Sequence, residues 1–265
     1  DISSWVSDVA GGDSNHGILL KNQVESTSGY TEFYGSRTSA TSYRPKLVVT
    51  YSDVVSTPTT VSTDKSKYEQ GESVSISWSG ISCNSLKQVE YRIGTADEDW
   101  NDRPTQYVAY TKLAGSKSSG TATVPGTGSF SPGRYKIFVR GVSTTGENGT
   151  GRGVRFMITP TAPSSVSVNK DFYSPGENIT VTWSGIASSN GFSRIEYAFS
   201  NMEDEDEDLL DFNTLTSSGA SSGTASLQVP SDLEGGEYFL YVRGVSSNNV
   251  EGTALSCPVE IGEDE

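Results

Sequence analysis

The 265-residue chain predicts an all-β protein on three observations. Apolar and polar residues alternate with period two through several short runs, clusters of Gly, Pro, Ser and Thr punctuate those runs, and one long block occurs twice. The length suits two or three compact domains of the commonest size, about 100 to 150 residues each. Hydrophobic residues are 33% of the chain, and with 28 glycines the apolar share is enough for ordinary globular cores. Ten prolines and 13 tyrosines favour short strands and turns over long helices.

The repeat organises the rest, because self-similarity at a fixed period defines the folding unit. "YEQGESVSISWSGI" at 68–81 returns as "YSPGENITVTWSGI" at 173–186, which sets Trp78 and Trp183 105 positions apart. "VEYRI" at 89–93 recurs as "IEYAF" at 195–199, and "SSGTATVP" at 118–125 as "SSGTASLQVP" at 221–230. "GRYKIFVRGVS" at 133–143 recurs as "GEYFLYVRGVS" at 236–246. The spacing drifts only within loops.

Each copy alternates as a half-buried strand does. Val74, Ile76 and Trp78 share one face of "SVSISWSG" and Ile179, Val181 and Trp183 the same face of its counterpart. Val89, Tyr91 and Ile93 alternate in the next run, and Tyr135, Ile137 and Val139 in a later one. About seven short strands per copy are expected, the pattern of a β-sandwich of about 100 residues.

A Trp ending the second of those strands, a Tyr in the third, and a Y-x-x-x-V-R-G-V-S strand before a Gly/Asn-rich turn resemble fibronectin type III or related immunoglobulin-like modules of bacterial proteins. The resemblance covers 56–159 and 163–262. It implies two tandem sandwiches and leaves function open, because such modules serve as spacers, ligand readers and adhesion units alike. Cys83 follows "WSGIS" in one copy while Cys257 aligns with Val154 on the last strand of the other, so two free thiols are expected. "SDVVSTPTT" and "TPTAPSS" read as short linkers that make a semi-rigid rod.

The first fifty residues differ. Ile2, Trp5, Val6 and Val9 have helical spacing that Gly11 could end, followed by strand-like "HGILLKN", "YTEFYGS" and "RPKLVVTYS". Gly17, Leu20, Lys21, Arg44, Pro45, Leu47, Val49 and Tyr51 together resemble the C-terminal portion of DNRLRE-type domains. Those are extracellular jelly-roll-like modules similar to disaggregatase-related repeats and to an alginate-binding class of carbohydrate-binding modules. The resemblance implies a partial jelly-roll-like module over 1–52. A partial sandwich exposes strand edges and an apolar face. Residues 1–52 are therefore expected to complete their fold with a preceding segment of the same precursor or with another element of the chain.

Charge excludes some partners. A net charge of −14, from 33 acidic and 19 basic residues, argues against phosphate backbones and anionic lipid, so nucleic acid is not an expected partner. No run approaches the roughly 18 apolar residues of a membrane span, and membrane insertion is not expected. The one histidine, His16, lies in a Gly/Asn-rich turn, no serine sits in a G-x-S-x-G elbow, and no P-loop, dinucleotide or zinc spacing occurs. The chain is expected not to be an enzyme.

Binding is the stronger expectation. Aromatic faces stack on sugar rings while polar groups orient them, which makes Tyr30, Tyr34 and Tyr43, with Phe33, candidates in the first segment. Trp100, within "DEDWND", and Tyr107 and Tyr110 are candidates in the second. The carboxylate run Glu203–Asp208 aligns with "DEDWND", so the same loop beyond the third strand is acidic in both copies. Neither stretch has the ligand spacing of a hand-type calcium loop, and adjacent carboxylates stay solvated. No cofactor is expected, with weak calcium binding at Asp99, Asp102, Asp204, Asp206 and Asp208 as the sharper alternative. Three functions fit: a secreted or cell-surface adhesion or polysaccharide-binding protein, a structural stalk presenting another domain, and the accessory tail of a polysaccharide-degrading enzyme.

Overall fold

A computed structural model describes residues 11–12, 53–95, 106–126, 128–203 and 210–262. The N-terminal segment 1–52 therefore lies outside the described residues, apart from a turn at Gly11 and Gly12. Among the described residues there is no helix, and the chain is all-β.

Among the described residues, sixteen strands fall into two sets of eight. The first set is β1 Thr60–Thr63, β2 Lys67–Glu69, β3 Val74–Ser79, β4 Leu86–Thr95, β5 Gln106–Ala114, β6 Gly120–Val124, β7 Gly133–Ser143 and β8 Arg152–Thr159. It makes a three-stranded sheet, β1-β3-β6, and a five-stranded sheet, β2-β8-β7-β4-β5. The second set is β9 Ser165–Val168, β10 Phe172–Tyr173, β11 Asn178–Ser184, β12 Phe192–Ser200, β13 Asn213–Thr216, β14 Gly223–Gln228, β15 Gly236–Ser246 and β16 Leu255–Ile261. Its sheets are β14-β11-β9 and β10-β16-β15-β12-β13, the same order with every label raised by eight. Eight strands per copy replace the seven expected. The additional ones, β2 and β10, are three and two residues long and pair in parallel with β8 and β16. Pairing that short leaves no alternation to read. The tryptophans accordingly lie on the third strand of each set, and the acidic connections follow the fourth.

The inward faces are the ones the alternation assigns. Val74, Ile76, Trp78, Val89, Tyr91, Ile93, Tyr135, Ile137 and Val139 belong to one buried cluster, and Ile179, Val181, Trp183, Ile195, Leu240 and Val242 to another. Each tryptophan donates its indole N–H to a carbonyl, Lys117 O at 3.2 Å and Ala220 O at 3.0 Å, so burial leaves no polar atom unpaired. Its six-membered ring lies on a glycine of the adjacent strand. A Cβ at Gly120 would stand 2.9 Å from Trp78 Cζ2, and one at Gly223 2.6 Å from Trp183 Cζ2. Cys257 is buried among apolar neighbours, which pushes its thiol up to about 11, and Cys83 is half-buried; both are free.

Between β1 and β2 the chain leaves one sheet for the other, and a tyrosine pins the crossing. Tyr68 is buried; its hydroxyl donates to Asp64 Oδ1 at 2.5 Å and accepts from the Lys65 amide at 3.1 Å. Asp64 Oδ1 also accepts the Ser75 amide at 3.2 Å. In the second copy Tyr173 bonds Asn169 Oδ1 at 2.8 Å, and the same oxygen accepts the Thr180 amide at 2.7 Å. A salt bridge closes each turn, Lys65 to Glu72 and Lys170 to Glu177. Burial, then the bond to Asp64, pushes the Tyr68 phenol up to about 12.

Two outcomes follow. Adding a methyl in the Gly223→Ala variant forces the indole off its rotamer and is expected to cost about 1–3 kcal/mol in urea unfolding. Gly115→Ala, where a Cβ meets nothing within 4 Å, serves as the near-neutral control. The raised Tyr68 pKa means that the folded state keeps a proton the unfolded chain releases near 10. That contribution to stability is full below pH 10 and is lost as pH climbs from 10 to about 12. Denaturation across this window is expected to show a steeper loss for the native chain than for Tyr68→Phe.

Candidate functional site

Outward side chains of the two five-stranded sheets form a second, polar layer. Glu90 on β4 and Arg140 on β7 are direct cross-strand partners, and the guanidinium donates twice to Glu90 Oε2, at 3.0 and 2.8 Å. Its other side rests on the Tyr110 ring, 3.5 Å from the centroid. The second copy repeats this with Glu196 and Arg243, which donates at 2.7 Å and stacks 3.8 Å from the Phe212 centroid. Arg194 takes the other oxygen of Glu196 at 2.7 Å, and Arg243 reaches Glu251 at 3.2 Å. Glu196 and Arg243 are both buried, so removing either partner would strand a charge out of water. These arginines are therefore structural cross-strand clamps, and Tyr110 is covered by one of them.

Where the first set of strands ends, side chains couple it to the second. Glu69 Oε1 accepts the Ala162 amide at 3.1 Å, within the "TPTAPSS" segment. Gln70 Oε1 accepts the Ser189 amide at 2.8 Å, while its amide nitrogen donates to Phe130 O at 2.9 Å and Gly128 O at 3.1 Å. From the other side Asn248 donates to Pro132 O at 2.7 Å and accepts from Asn190 at 2.9 Å. Asn249, next along, holds a positive φ of 61° in the turn between β15 and β16 and accepts from Arg194 at 3.0 Å. Asn tolerates that conformation better than most residues.

A cleft of about 560 Å³ opens at this junction. Lys67, Arg134 and Met157 line one wall, Arg243, Glu251 and Thr253 the other. Its volume falls in the range of ligand pockets, roughly 300–1,000 Å³, and its walls offer cations, a carboxylate and hydroxyl or amide groups rather than aromatic platforms. Among the described residues no three His, Cys, Asp or Glu side chains group as a metal site, and no helix is long and apolar enough to cross a membrane.

The aromatic candidates Tyr30, Tyr34, Tyr43 and Trp100 lie outside the described residues, as do Asp99, Asp102, Asp204, Asp206 and Asp208. The segments that hold Trp100 and these aspartates nonetheless fall between equivalent strands, β4 and β5 in one copy and β12 and β13 in the other. The junction residues escaped the sequence reading. A signal was present: inside the matched block, "YEQGE" becomes "YSPGE", and the two positions that differ are Glu69 and Gln70.

No family model matches the chain, and no curated protein matches it. Solved structures similar to it include fibronectin type III modules. The FN1-FN3 domains of chicken CNTN1 match at 15% identity and a TM-score of 0.31, over 80% of this chain and 68% of that one. The fibronectin(III)-like modules of Clostridium thermocellum CbhA match at 16% identity and 0.28, over 76% and 94%. The chicken interferon gamma receptor alpha chain matches at 13% identity and 0.39, over 78% and 98%.

If the junction bonds hold the two halves together, losing them should expose the connecting segment. The double variant Gln70→Ala with Asn248→Ala is expected to be cut between 160 and 165 by a broad-specificity protease at least about fivefold faster, as for a backbone whose local opening costs about 1 kcal/mol less. Mass spectrometry of the fragments checks this.

Proposed function

We propose that this chain is a non-catalytic modular piece of a secreted or cell-surface protein that binds a polysaccharide or surface ligand in adhesion. The observation that carries the reading is the junction cleft. Two sandwiches held by Gln70, Glu69 and Asn248 present a preformed, polar concavity that neither would present alone. A preformed site avoids the ordering cost that weakens binding by flexible chains. Loops and ends of rigid sandwiches are where such folds place their recognition groups. In this reading residues 1–52 form the C-terminal part of a DNRLRE-type module, completed by a preceding segment, and add aromatic surface through Tyr30, Tyr34 and Tyr43.

A stalk is the second reading, and the same junction bonds favour it, because a hydrogen-bonded joint transmits a fixed separation between whatever lies at either end. An accessory role in a polysaccharide-degrading protein is the third, and would use the same cleft.

A glycan array followed by titration calorimetry separates binding from a bare stalk. The chain is expected to bind at least one polysaccharide, and Thr253→Trp, which fills the cleft, is expected to weaken that binding at least about tenfold, a loss of about 1.4 kcal/mol. Absence of binding to every polysaccharide on the array would favour the stalk.

A further inference from the structure

Charge is spread unevenly along the chain. Residues 53–159 carry 12 basic and 10 acidic side chains, whereas 160–265 carry three basic and 18 acidic, ten of the latter at 203–211 and 263–265. The net charge of −14 therefore does not describe the first sandwich. At physiological ionic strength a charge is screened within about 8 Å, so what an anion meets there is set by the nearest side chains.

On the outer face of its five-stranded sheet, four cations surround Met157. β7 turns Tyr135 and Ile137 inward and Arg134 and Lys136 outward, and β8 turns Phe156 and Ile158 inward and Arg155 and Met157 outward. Lys67, Met157 and Arg134 make one cross-strand row, and Arg155 with Lys136 makes the next. Neighbouring strands lie about 4.8 Å apart and alternate residues of a strand about 7 Å, so the four α-carbons fit within about 10 Å by 7 Å. Lys67, Arg134 and Arg155 are exposed, and Lys136 is half-buried with its ammonium 4.8 Å from the Phe138 centroid. The carboxylates on this face, Glu69 and Glu90, already accept the Ala162 amide and the Arg140 guanidinium.

The sheet does not need these cations in order to form. In the second copy Phe172, Glu237, Phe239 and Pro258 stand at the positions of Lys67, Arg134, Lys136 and Arg155, within the same strand pairing. The basic patch is also continuous with the junction cleft, since Lys67, Arg134 and Met157 form one of its walls. Across from them Arg243 holds the lining carboxylate, Glu251, while Asn249 and Thr253 offer amide and hydroxyl groups.

We propose that the polysaccharide bound by this chain is acidic, with its carboxylates or sulfates on Lys67, Arg134, Lys136 and Arg155 and one of its sugars in the junction cleft. This rests on the reading of the chain as polysaccharide-binding and adds the class of ligand. Guanidinium groups hold oxyanions through paired N–H donors, and lysine ammonium groups add charge that follows the ligand. The amide and hydroxyl groups of the cleft suit sugar hydroxyls. A single-stranded nucleic acid would meet the same charge without a stacking surface, because Phe138 is buried beneath Arg92 and Lys136 and Tyr110 lies under Arg140.

Titration calorimetry of the full chain at about 0.15 M salt compares polygalacturonate with its fully methyl-esterified form, and dextran sulfate with dextran. The acidic member of at least one pair is expected to bind at least about tenfold more tightly than its neutral partner, and the pair that shows it tells carboxylate from sulfate. Lys136→Gln with Arg155→Gln, both outside the cleft, is expected to weaken that binding at least about tenfold. Lys112→Gln with Lys117→Gln removes the same charge from exposed positions elsewhere on this sandwich and is expected to leave it within about twofold. Both variants are expected to unfold in urea near the native midpoint, so a loss of binding is not a loss of fold. Equal binding to the acidic and neutral members overturns the proposal and leaves the polysaccharide reading standing. Binding to none of the four overturns it too, and only a glycan array blank throughout removes the broader reading with it. Polyglutamate or oligothymidylate bound as tightly as the acidic polysaccharide, or an equal loss in the Lys112 and Lys117 variant, overturns it equally.

Discussion

The crossing of the first strand from one sheet to the other is the constraint from which the rest of each sandwich follows. A chain that stayed in the three-stranded sheet would leave β8 or β16 as an open edge, and open edges invite aggregation. The crossing needs a tight turn, and the turn holds because a buried tyrosine hydroxyl reaches back to a side-chain oxygen four residues earlier, Asp64 or Asn169. That oxygen also takes an amide of the third strand, Ser75 or Thr180, so one acceptor ties together turn, core and sheet. In the first copy the consequences run outward. Once β2 is seated, Lys67 lies on the outer face, and Glu69 and Gln70 arrive at the junction.

Comparing the copies separates what the fold demands from what it permits. Tryptophan on glycine, tyrosine on Asp or Asn, and arginine between carboxylate and aromatic ring occur twice with nearly the same geometry. They are the conditions for closing this sandwich. Cysteine at 257 against valine at 154, or Gln70 against Pro175, are differences the core or turn accommodates. Where the difference is charge on an exposed face, burial and backbone pairing offer no reason for it.

Much of the architecture was legible in the residues. Period-two runs such as "SVSISWS" and "NITVTWS" put Trp78 and Trp183 on the inner face because burial on one side of a strand selects every second residue. The two free thiols followed from their places in separate copies. Less legible were β2 and β10, whose two or three residues carry no period, and the arginine clamps. Arg140 and Glu90 are 50 residues apart, and only the register of β4 against β7 makes them neighbours. The candidate site was legible least. Its walls come from both halves, and the repeat blocks marked Glu69 and Gln70 only as places where two similar strings disagree.

Local pattern by itself therefore determined that the chain is all-β, that it contains a duplicated sandwich, and which residues of the long strands face inward. Such facts depend on the spacing of apolar side chains along one strand, which any stretch of a few residues displays. Tertiary structure alone decided which charges meet, how the halves are joined, and that a cleft lies between them. Those depend on strand register and on the crossing of β1 into β2. Both are set by the whole core at once, because shifting a strand by one residue would carry every side chain on it to the opposite face.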